Sequence, residues 1–168
     1  MILDQQNIKV TSDLDAEVTA WSNRVAANGG TVSDATLGYV NVFVLALKAA
    51  GLRSRFLRLN LFVGDQLSAA LTPVFLAESF PATFYGNTYD TNFNFLAGDY
   101  NEAGVNGGIQ GNGASKYLDT GFNPSTVTSL GLNSAGLIAY NRTSPVKNLT
   151  DLMGAVDTVG TLTRLQLF

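Results

Sequence analysis

The pattern closest to a catalytic motif is Tyr117-Leu118-Asp119-Thr120-Gly121. Aspartic proteases present Asp-Thr-Gly after apolar residues, and their chemistry needs two such carboxylates sharing one proton. A homodimer would have to supply the second. Such an enzyme also needs a β-framework ahead of the motif, and here the preceding half reads as helical. The simpler expectation is that Asp119 ends a strand and bonds local backbone N–H groups. Gly108 and Gly113 have the spacing of a phosphate loop, but Ala114 stands where that loop requires Lys. Asp90, Asp99, Glu102 and Asp119 could offer oxygen ligands to Ca²⁺, yet they lack the EF-hand spacing. The chain contains no His and no Cys. The commonest acid–base group near neutral pH, the commonest zinc ligand and every thiolate are therefore missing. No catalytic residue, cofactor or metal ligand is assigned, and the chain is not expected to be an enzyme.

Two further groups could recognise a partner. Tyr85, Tyr89, Tyr100 and Tyr117 are candidates for stacking on a glycan, because a half-exposed ring offers an apolar face and a polar tip, and Asn112 could join Tyr100 and Tyr117 in the contact. Arg53, Arg55 and Arg58 cluster with Phe56 and Phe62, and this group is a candidate subunit interface. Trp21, Phe43 and Phe75 read as core or interface.

These residues need elements to hold them. Leu14, Val18, Trp21 and Val25 recur at steps of four, three and four, which puts them on one face of a helix over about 14–27. Ser12 or Asp13 would cap it, and Asn28-Gly29-Gly30 would stop it. Ser33 would cap a second helix running to Lys48 and ending at Gly51, with Leu37, Val40, Val44 and Leu47 buried and Phe43 and Ala46 beside them. A link this short implies an antiparallel helical hairpin. A strand is expected over about 59–63 and a helical turn over 65–70. After about Ser79 the chain turns rich in Asn, Gly, Thr and aromatics. Strands are expected at 92–95, 116–120, 136–142, weakly at 154–157, and at 161–168, where the terminal strand would be an exposed edge, either paired by a neighbouring subunit or followed by further chain. The expected class is α+β: residues 1–79 a helical docking or oligomerisation segment, residues 80–168 an antiparallel β-sandwich-like region.

Charged residues make up only 14% of the chain, against about 25% usually. A surface so poor in charge is covered by Asn, Thr, Ser and Gly or hidden by partners. The net charge is −3 with no basic stripe, which argues against nucleic-acid binding. No stretch is long and apolar enough to insert in a bilayer. The opening residues, Met1-Ile2-Leu3-Asp4, do not read as a signal peptide, so synthesis in a cytosol is expected.

Two stretches carry a resemblance. One is Leu45 to Leu52, with Phe62-Val63-Gly64. The other runs from Gly108 through Gly111, Gly113, Tyr117, Asp119 and Gly121 to Pro124 and Ser125. With Leu132-Asn133-Ser134 and Ala139 to Thr143, they resemble a family of bacteriophage virion proteins. That family pairs a small N-terminal helical segment with a lectin-like, laminin-G-type β-sandwich, and its members are minor structural, tail or fibre-associated proteins. The resemblance covers about 33–65 and 95–143. It implies a subunit made in the host cytoplasm and located in the virion, at tail, fibre or head surface. Its partners would be other virion proteins and copies of itself, with a trimer expected by fibre analogy. The alternative it implies is a carbohydrate-binding module recognising a host surface glycan.

Overall fold

Helix α1 spans Ala16–Ala27 in the computed structural model, which describes residues 14–76, 78–79, 83–104, 107–127, 136–140, 153–156 and 164–167. Its cap is Asp15, whose carboxylate accepts from the Glu17 N–H at 2.9 Å. The expected caps Ser12 and Asp13 lie outside the described residues. Helix α2 spans Asp34–Ala49 and begins as expected, with Ser33 Oγ accepting from the Thr36 N–H at 3.2 Å. It ends where Gly51 takes a positive φ of 68°. Lys48, near the end of α2, reaches Asp15 at 2.7 Å and Glu17 at 2.9 Å, both at the start of α1. The helices therefore run antiparallel.

Their shared face is the core. Val18, Trp21 and Val25 from α1 meet Val40 and Val44 from α2. Leu37 and Leu47 pack beside them, half-buried. The other wall comes from a single helical turn, α3 (Leu67–Ala70), and from the chain that follows it, through Ala69, Val74 and Phe75. Trp21 is fully buried, and its indole N–H donates to the Thr72 carbonyl at 3.0 Å. The close approach of the helical link to α3 requires a glycine. A Cβ on Gly30 would lie 2.8 Å from the Ala69 backbone nitrogen and 2.9 Å from Val25.

The strands are short and paired two by two. β1 (Arg58–Leu59) pairs antiparallel with β2 (Phe75–Leu76) beside the helical core. β3 (Glu78–Ser79) pairs with β4 (Thr83–Phe84). β5 (Thr91–Phe93), β6 (Tyr100–Asn101), β7 (Gly108–Ile109) and β8 (Tyr117–Asp119) follow, with β5 on β8 and β6 on β7. β9 (Met153–Val156) pairs with β10 (Arg164–Leu167), so one side of the expected terminal strand has a partner within the chain. The fold is α+β. Among the described residues the strands form five two-stranded antiparallel pairs, none of them extended by a third strand.

Asparagine side chains explain why the strands stop early. The strand expected to reach Val63 ends at Leu59, because Asn60 Oδ1 takes the Phe62 N–H at 2.9 Å and Phe62 turns to φ 52°. The strand expected to reach Phe95 ends at Phe93 in the same way. Asn92 Oδ1 takes the Phe95 N–H at 2.9 Å, and Asn94 turns to φ 68°. Such local bonds offer the backbone an alternative to a ladder. Residues 136–140 form no strand. Residues 141 and 142, expected to continue it, lie outside the described residues.

The chain on the two sides of residue 80 is tied together. Arg58 and Asp90 form an ion pair at 2.5 Å that is almost fully buried, and Asn60 Nδ2 donates to the second Asp90 oxygen at 2.7 Å. The Tyr100 hydroxyl donates to the Gly64 carbonyl at 2.6 Å.

Replacing Trp21 with Phe keeps most of the buried ring but leaves the Thr72 carbonyl without its donor. The expected loss of unfolding free energy is about 1–3 kcal/mol, measured by denaturant titration followed by far-UV circular dichroism, with helix content unchanged in the absence of denaturant.

Candidate interaction surface

Helix α2 carries apolar residues on both sides, and α1 covers only one. Ala35, Tyr39, Val42, Ala46 and Ala49 follow one another at steps of four, three, four and three, on the side turned away from Val40 and Val44. All five are exposed, Tyr39 at 78% and Val42 at 61%. Leu45 and Phe43 flank them and are exposed as well. Phe43 and Ala46 had been expected near the buried stripe, and they sit outside it. A helix that is apolar all round is normally covered on every side.

A groove of about 430 Å³ runs along one flank of this face. Tyr39, Val40 and Phe43 form one wall, and Leu61, Val63 and Ala103 the other. At its end Glu102 Oε1 accepts from the Thr36 hydroxyl at 2.6 Å and from the Gly64 N–H at 3.0 Å. Asp65 lies close by and accepts from the Thr31 hydroxyl and the Ser33 N–H. Burial, and after it the charges of Glu102 and Asp65, push the Tyr100 hydroxyl well above its ordinary pKa.

The candidate interface residues divide. Arg53 donates from Nε to Glu17 at 2.8 Å and from Nη1 to the Phe56 carbonyl, and its guanidinium lies 3.9 Å from the Phe75 ring centroid. Arg58 is held by Asp90 and by the Asn87 carbonyl. Phe56 packs against Phe75 with ring centroids 6.1 Å apart. These three serve the chain's own interior, because a cation that is half-buried or deeper needs a partner close at hand. Arg55 is exposed, and Phe62 is half-buried at a strained positive φ.

The candidate glycan residues divide too. Tyr100 is 6% exposed with its hydroxyl engaged, so it is no stacking platform. Asn112 is exposed but organises its own turn, Oδ1 accepting from the N–H groups of Ala114, Ser115 and Lys116. Tyr117 is 55% exposed. It stacks on Phe93 across the β5–β8 pair, with centroids 4.3 Å apart and planes 7° apart. Thr91 and Asp119 are paired on the same two strands, two residues away, and alternation puts them on the same side. Phe93 and the outer stripe of α2 were not singled out from sequence. The four–three spacing was visible there, but it overlaps the inner stripe of the same helix.

Asp119 ends its strand and accepts from the Gly121 N–H at 2.7 Å. Asp90, Asp99, Glu102 and Asp119 each have separate partners. Among the described residues no group of three or more potential ligands could hold a metal ion, and no helix is long and apolar enough to cross a membrane. No family model, curated protein or solved structure matches the chain.

The ion pairs at the open end of the hairpin respond to acid. Hydrogen bonding from Lys48 holds the Asp15 carboxyl below its usual value of 3.8. For Glu17, burial raises the pKa, but bonds from Arg53 and Lys48 outweigh it and bring it below 4.5. A depressed carboxylate stabilises the fold above its unfolded pKa and loses that contribution as pH falls through the folded value. Lys48→Met therefore costs stability near neutral pH, and the gap between it and the wild type narrows as pH falls below about 4. Thermal unfolding of both proteins across that range reads the effect.

Proposed function

We propose that this chain is a non-enzymatic structural subunit of a bacteriophage virion, acting by protein–protein assembly. One observation carries the reading: the outer face of α2 leaves Tyr39, Val42 and Leu45 in solvent on a helix with a single charge at each end. Covering large apolar side chains of this kind gains on the order of 1–2 kcal/mol each when they start about half exposed or more. Interfaces are built from a few such anchors surrounded by a polar rim. The low charge of the chain and the resemblance at Gly108 to Ser125 support the same reading. Its partners are other virion proteins and copies of itself. Residues 1–79 dock, and residues 80–168 form a β-rich, lectin-like and sandwich-like part that projects outward.

Mass spectrometry of purified particles of the encoding phage is expected to find the chain at fixed stoichiometry. The double variant Tyr39→Asp/Val42→Asp is expected to keep its circular dichroism spectrum and to be lost from particles. Particles that lack the chain, or that take up the double variant as well as the wild type, defeat the proposal.

A second reading is favoured by the Phe93–Tyr117 stack: recognition of a host surface glycan. The outer face of the Tyr117 ring can take the apolar face of a sugar, and Asp119 and Thr91 can bond its hydroxyls. Binding on a glycan array that disappears in Tyr117→Ala supports this reading. An array with no bound glycan, or binding unchanged in Tyr117→Ala, removes it.

A further inference from the structure

We infer that the outer face of α2 pairs with the same face of a second copy, the two helices antiparallel across a twofold axis at Val42. This rests on the assembly reading and names the partner.

The stripe Ala35, Tyr39, Val42, Ala46, Ala49 keeps the 3.5-residue repeat with which one helix packs on another. It bears no charge, so it suits a face equally free of charge. Three of its five members are alanines, which let two backbones approach, while Tyr39 and Val42 protrude. Val42 lies midway between Ala35 and Ala49. A copy turned end for end about Val42 sets Ala35 over Ala49 and Tyr39 over Leu45, and the match is reciprocal, as a twofold interface requires.

Charge decides the direction. Asp34, Asp65 and Glu102 gather at the start of α2, and none of them has a cation partner among the described residues. The other described acids of the helical half and its attachments, Asp15, Glu17, Asp90 and Asp99, are all in ion pairs. Just beyond the far end of α2 stand Leu52, 48% exposed, and Arg55. Lys48, Arg53, Arg58 and Lys116 have acidic partners, and Arg55 has none among the described residues. A parallel pair would set acids against acids. The antiparallel pair sets Arg55 of each copy against the other's acids and Leu52 toward the other's groove, and it opposes the helix dipoles favourably. The helix is about 24 Å long, so the stripe alone falls short of the ~800 Å² per partner of a standard interface. The groove and the charged ends supply the remainder, and a dissociation constant in the micromolar range is expected. The twofold replaces the trimer expected by fibre analogy.

Because the chain has no cysteine, single cysteines can map the pairing in the full-length protein. Val42→Cys is expected to cross-link to itself on mild oxidation. An equimolar mixture of Ala35→Cys and Ala49→Cys is expected to cross-link between the two variants, and neither alone. Sedimentation equilibrium is expected to show a monomer–dimer equilibrium, weakened about tenfold or more by Arg55→Glu, which alters two contacts per dimer, and restored in part by adding Asp34→Lys. A protein monomeric at every concentration overturns the inference, as does self-cross-linking of the Ala35→Cys or Ala49→Cys variant alone. If it is monomeric and Tyr39→Asp/Val42→Asp is still lost from particles, the twofold fails and the assembly reading stands. If it dimerises as described but is missing from particles, the reading fails and the twofold stands.

Discussion

The indole of Trp21 is the point on which the helical half closes. It fills the space between α1, α2 and the segment after α3, and its N–H satisfies the Thr72 carbonyl, which would otherwise be buried without a donor. That one contact joins residues far apart in sequence. It fixes which face of α1 turns inward, and so which stripe of α2 is covered by Val18, Trp21 and Val25. The opposite stripe is left to solvent as a direct result. The candidate surface follows from how the core is filled, since α1 is too narrow to cover an apolar helix on two sides.

The hairpin was legible because its signals are local and repeated. The apolar steps in α1, the Ser33 cap and the Gly51 stop each correspond to one backbone feature. The ends of the strands were less legible. Alternation around Asn60 and Asn92 points to continued strand, but each asparagine takes the N–H two or three residues on, and the following chain turns to positive φ. The competition between a side-chain acceptor and a partner strand is decided by tertiary context, which a linear pattern does not carry.

The surroundings of the site residues were legible only where they are set by local contacts. Arginine spacing gave no warning that Arg58 would be buried against Asp90, because the two are separated in sequence and meet only when β1 forms beside the later loop. Tyr100 and Tyr117 look alike in sequence, both beside polar residues and near strand ends. One points inward to Gly64 and the other outward onto Phe93. The role of Asp119 was legible because an acid before Thr-Gly has a short-range option that needs no partner element.

The clasp at Glu102 joins the two parts of the chain. A single carboxylate oxygen holds Thr36 on α2 and the Gly64 N–H, while Tyr100, two residues earlier, grips the Gly64 carbonyl. Separating the later, β-rich segment from the helical half requires these bonds and the buried Arg58–Asp90 pair all to be broken. If the α2 face is anchored to a neighbour, the outer part hangs from that anchor by several polar fastenings and not by the chain alone.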